Sequence, residues 1–170
     1  VGSEMCIRDS YSTTQATGSH AEGLYTTTQA NYSHTEGELT TTLPDATGSH
    51  AEGYRTVAAA NYSHAEGERS TTLGSGSHAE GFKTTAQGIY SHTEGSGSVA
   101  EGEYAHAEGD STLAYGNFSH AEGYFSTAEG SYSHAEGQTT TAQGGYSHAE
   151  GSQTFAQGDY SHAEGSTTIA

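Results

Sequence analysis

Eleven histidines, each followed two residues later by a glutamate, are the side chains in this sequence whose type and spacing could carry chemistry. They are His20 and Glu22, His34 and Glu36, His50 and Glu52, His64 and Glu66, His78 and Glu80, His92 and Glu94, His106 and Glu108, His120 and Glu122, His134 and Glu136, His148 and Glu150, and His162 and Glu164. Nine of the ten intervals between successive histidines are fourteen residues, and the one from His34 to His50 is sixteen. Residues two apart on a strand share a face. Each His-x-Glu therefore offers an imidazole beside a carboxylate, which could be a hydrogen-bonded pair, two metal ligands, or an acid and a base.

These chemistries make different demands. Catalysis needs a unique constellation whose groups have separated pKa values, whereas a strict repeat gives every pair the same surroundings, so no enzyme activity and no cofactor are expected. Glu101 and Glu129, and Asp45, Asp110 and Asp159 at or near corners, read as surface charges. Zinc or nickel would accept imidazole and carboxylate ligands, which keeps a metal-binding ladder as the alternative reading, but eleven equivalent copies single out no site. A ladder of carboxylates at close spacing would repel itself unless paired. Imidazole N–H groups of the same or a neighbouring chain could supply that pairing.

The elements that position these residues follow from the repeat itself. Between Ser77-His78-Ala79-Glu80-Gly81 and Ser91-His92-Thr93-Glu94-Gly95 lies a looser copy, Thr84-Thr85-Ala86-Gln87-Gly88. The unit is thus seven residues, and two units make one coil. Small residues at its first, third and fifth places alternate with variable ones at the second and fourth, the period of a strand with one tightly packed face. Five residues of strand and two of corner give a flat parallel β-solenoid of fourteen residues and two strands per coil, with Ser, Ala and Gly directed inward. Glycine every seven residues makes a helical repeat untenable.

Tyr32, Tyr62, Tyr90, Tyr104, Phe118, Tyr132, Tyr146 and Tyr160 all precede the serine of the histidine word, which predicts an aromatic ladder along one corner. The two extra residues fall within 40–48, where Pro44-Asp45 signals a small turn, and an insertion of two preserves the in-out alternation. On the other wall Thr27, Thr41, Thr71, Thr85, Thr127 and Thr141 share the second place with Val57, Val99, Leu113 and Phe155. That column is too interrupted for a regular ice- or mineral-binding array.

Composition sets the outer limits. With 24 glycines, no tryptophan and 31% hydrophobic residues, the chain would read as disordered without its periodicity. Its formal net charge of −17 argues against nucleic acid or an anionic lipid surface, and no apolar run is long enough to insert in a membrane. Residues 1–10, Val-Gly-Ser-Glu-Met-Cys-Ile-Arg-Asp-Ser, resemble a translated sequencing-library adapter and are set aside as an artefactual segment. The single repeat domain is then 11–170, expected to be truncated at both ends.

Ser-His-Ala-Glu-Gly alternating with Thr-Thr-Ala-x-Gly on a fourteen-residue period resembles the YadA-like head repeats of trimeric autotransporter adhesins, and its wording is similar to repeats in tail-fibre and appendage proteins of bacteriophages and prophages. The resemblance covers residues 11–170. It implies a left-handed β-roll, assembled as a homotrimer and placed outside the cell, on a bacterial surface or a phage tail, with a host-surface receptor or glycan as further partner. Those adhesin heads carry Val and Ile where this chain has His and Glu. A roll filled with Ala, Ser, Thr and Gly buries little apolar area, so a partner should cover one wall, and the uniform His–Glu wall is the expected trimer interface. Pairing there is expected to raise the histidine pKa and depress that of glutamate, with stability fading in both acid and alkali. At one strand spacing per coil the rod would be roughly 50–60 Å long.

Overall fold

The structure, a computed structural model, describes residues 6–8 as backbone and residues 11–170 in full. The remainder of the adapter-like segment lies outside the described residues. From Cys6–Arg8 onward the chain winds into two parallel sheets with no helix among the described residues. A twelve-stranded sheet takes Cys6–Arg8 and the strand of each histidine word, and an eleven-stranded sheet takes the intervening strands. Every rung joins residues one coil apart, so His106 pairs with His120, Glu108 with Glu122 and Leu113 with Thr127. The chain is a parallel β-solenoid of fourteen residues per coil.

Alternation along each strand makes the core. In most coils the serine and alanine of the histidine word are buried, while the histidine and glutamate that alternate with them are partly exposed. On the opposite wall the same rule buries the first and third places, as in Thr112 and Ala114 around Leu113. The interior consists of alanines and hydroxyls. Thr84 and Thr112 donate to the hydroxyls of Ser70 and Ser98 one coil earlier, each at 2.9 Å, and Ser33, Ser77, Ser91 and Ser147 donate to carbonyls three residues back at 2.6–2.7 Å. Hydroxyls tied to one another and to the backbone line a space too narrow for large side chains, although others, among them Thr40, Thr56, Thr140 and Thr154, are buried without a hydrogen-bond partner.

Three local features differ from the sequence expectation. The strands are unequal: most on the histidine wall run five residues starting at the histidine, such as His134–Gln138, whereas those opposite run two, such as Thr141–Ala142. The glycine of the histidine word is not buried. Gly109 has φ 112°, and a Cβ there would run into the carbonyl oxygen of Gly123 in the next coil, so the residue is required by backbone approach between coils and not by the narrowness of the core. Finally, both corners turn through left-handed residues, including bulky ones such as Tyr132 (φ 59°) and Phe125 (φ 54°). This conformation costs L-residues energy. It is held because the corner N–H joins the ladder, Tyr132 donating to Asn117 O and Phe125 to Asp110 O, both at 2.9 Å.

The extra residues form a turn at Pro44 and Asp45. Ala46 N–H donates to Leu43 O at 3.0 Å, and pairing on either side is undisturbed, with His34 opposite His50 and Thr41 opposite Val57.

Candidate functional site

The histidine wall is the one surface whose chemistry repeats along the whole rod. Strict fourteen-residue register places each imidazole directly over the previous one. From His34 to His162 the rings form nine successive stacked pairs with centroids 4.7–4.9 Å apart and planes within 8° of parallel. Only His20 meets its neighbour His34 edge-on, at 77°.

Beside this column runs a second one of carboxylates. In eight coils the imidazole Nε2 lies 3.3–3.8 Å from the Oε2 of the glutamate two residues on, from His20–Glu22 at 3.3 Å to His78–Glu80 at 3.8 Å. His20 to Glu22 meets hydrogen-bond geometry. From His34 through His148, nine histidines that include the other seven of these eight, Nε2 is sealed from solvent and has no hydrogen-bond partner. The pairing in this chain is therefore between residues of one strand, at ion-pair distance.

Electrostatics reverse the sequence expectation for histidine. Burial holds the imidazoles of His50, His78, His106, His120 and His148 below the ordinary value of 6.5; stacked imidazole neighbours lower them further, and the adjacent glutamates only partly oppose this. The glutamate is the partner along the strand, and burial and the stacked rings outweigh it. A half-buried ring with like rings above and below favours the neutral form.

Groups such as His34, Glu36 and His50, or His120, Glu122 and His134, bring one donor atom each to within 4.8 Å of one another. Their geometry does not converge on an ion. Parallel stacked rings aim equivalent nitrogens in the same direction, so two Nε2 atoms can share a metal only if one ring turns out of the column. Among the described residues there is no pocket.

The aromatic corner is continuous over part of its length. Tyr90, Tyr104, Phe118, Tyr132, Tyr146 and Tyr160 stack with centroids 4.8–5.2 Å apart. Tyr32 and Tyr62 lie instead against Gly18 and Gly48, and Tyr90 has Gly76 beneath it. The sequence shows these glycines at the column positions, so the interruption was legible there.

A flat parallel solenoid with short coils, small-residue core and one invariant polar wall defines a class of repetitive, rod-forming proteins. Within it, the YadA head domain repeat (2 copies) matches residues 79–105, 107–133 and 135–161, so the stretch 79–161 is built of YadA head repeats. No curated protein matches the chain. YadA-like heads form homotrimers in general and are exposed at the surface, and the repeats fit an adhesin-like structural stalk. No helix of the described residues is long and apolar enough to cross a membrane.

Proposed function

We propose that the chain is a segment of a homotrimeric fibre on a bacterial surface or a phage tail, serving as a rigid stalk or head for attachment to a host surface. The observation that carries this reading is the His–Glu wall, which keeps one composition over the whole rod and one stacked geometry from His34 to His162 while the opposite wall varies. A closed three-fold assembly brings the same patch of every chain to equivalent positions, and a surface selected for that purpose has reason to be uniform.

Energetics point the same way. The buried apolar side chains are alanines, which offer little stabilisation per coil. Covering the histidine wall with neighbouring chains would add buried area and lower the local dielectric, which strengthens each imidazole–carboxylate contact.

Charge reversal on one wall at a time tests the proposal. Glu94→Arg with Glu122→Arg should reduce the trimer to monomers, while Glu101→Arg with Glu129→Arg on the opposite wall should leave it intact. Equal tolerance of both pairs would refute the assignment of the interface.

A further inference from the structure

Residues 11–170 contain three cationic side chains, Arg55, Arg69 and Lys83, and they occupy the same corner in three successive coils. The bridges from Tyr54 to Glu68 and from Glu68 to Phe82 fix that register. All three are exposed, with φ of 56–60°, and their N–H groups donate to Glu38 O, Tyr54 O and Glu68 O at 2.8–2.9 Å. The backbone thus holds a single file of cations on a protruding edge of an otherwise acidic rod.

The fold does not require charge at this corner. The same column holds Tyr25, Leu39, Ser111, Phe125, Thr139 and Gln153 in the same conformation. Nor does local pairing explain the file. Arg69 Nη1 is 3.8 Å from Glu68 Oε1, a long exposed contact of small value, while Arg55 and Lys83 lie over the rings of Tyr54 and Phe82 at 5.1 and 4.9 Å. Cations distributed along the glutamate wall would offset more of the 21 acidic residues; placed in adjacent coils they repel one another. The file also lies mostly ahead of residue 79, where the matched repeats begin.

We infer that Arg55, Arg69 and Lys83 form a binding strip for a linear anionic polysaccharide, with a carboxylate or sulfate engaged at successive coils. One line of charge suits a single-file polyanion better than a flat anionic membrane. Tyr54 and Phe82, the rings beside the file, already carry cations, which leaves no free aromatic platform within the strip itself for stacking nucleic-acid bases. The inference stands whether the rod is a monomer or a trimer.

The test uses the full chain and three probes: polygalacturonate for carboxylate, dextran sulfate for sulfate, and neutral dextran. Binding to one or both charged polymers and not to dextran is expected, with log affinity falling against log salt at a slope of about −2 for three contacts. Arg55→Gln, Arg69→Gln and Lys83→Gln together should weaken binding about tenfold or more. Glutamine is accommodated at this corner, as Gln153 shows (φ 56°), and an unchanged melting temperature verifies the fold. Gln87→Glu, Gln143→Glu and Gln157→Glu impose the same change of three charges on the opposite wall and should leave binding in place. No binding by the parent chain, equal binding by the triple glutamine variant, equal loss in the glutamate control, or tighter binding of a single-stranded oligonucleotide than of either polysaccharide would each overturn the inference.

Discussion

His64 and His78 stack with ring centroids 4.8 Å apart and planes parallel to within a degree. Charge on neighbouring rings would place like charges about one coil spacing apart in a half-buried column. Burial and these neighbours hold His50, His78, His106, His120 and His148 below the ordinary imidazole value, and the pH response of those five has a definite sign. A histidine pKa below 6.5 in the folded state means that the unfolded chain binds more protons, so the stability from these groups is complete above the ordinary imidazole value and declines as pH falls through 6.5 toward the folded pKa values. Thermal melts between mildly acidic and mildly alkaline buffers should show this loss on the acid side and no matching loss on the alkaline side. A decline toward alkali would contradict the lowered values of those five histidines.

The glutamates temper that effect. Glu108 is the first of three carboxylates that raise the pKa of His106 against burial and His92. Glu108→Gln should lower the His106 pKa further, read directly from its imidazole resonances in an NMR titration. A rise would show that the carboxylate does not act on the ring as its position implies.

Backbone approach between coils predicts an unusually costly small substitution. Gly109→Ala meets both a φ of 112° and the carbonyl of Gly123. The loss should be at least about 2 kcal/mol in urea unfolding, although only a methyl group is added.

The interrupted aromatic corner predicts the opposite outcome. Gly48 lies beneath Tyr62 at φ 69°, a conformation tyrosine already adopts at this corner. Its Cβ would sit 3.0 Å from the Tyr62 ring, and a shift of a few tenths of an ångström restores the spacing seen from Tyr90 to Tyr160. A new aromatic contact contributes about 0.5–1.5 kcal/mol and the left-handed conformation costs an L-residue about 1–2 kcal/mol, so Gly48→Tyr should leave the melting temperature nearly unchanged despite the large side chain added.

Much of this architecture was legible because a period of seven constrains so much at once. Register, coil length and the alternation that buries Ala114 while leaving Leu113 partly exposed all follow from spacing. What spacing does not encode is the direction of side chains and the path of the backbone at the corners. The parallel stacking of His64 on His78, the left-handed conformation of Tyr132 and the role of Gly109 depend on contacts between coils, in three dimensions. The sign of the histidine shift was misjudged for the same reason: glutamate is the neighbour along the strand, but the imidazoles above and below are the neighbours across it.

Parallel lone pairs that cannot converge imply that added zinc leaves the melting temperature unchanged at neutral pH. A saturable rise, removed by chelator, would mean that the rings leave their column to bind metal.

The central claim is that the His–Glu wall joins three chains, and the molar mass in solution tests it most directly. Light scattering coupled to size exclusion should give three times the chain mass of 17.5 kDa at neutral pH, and a smaller species at about pH 4, well below the ordinary imidazole value. A folded monomer at neutral pH would contradict the account.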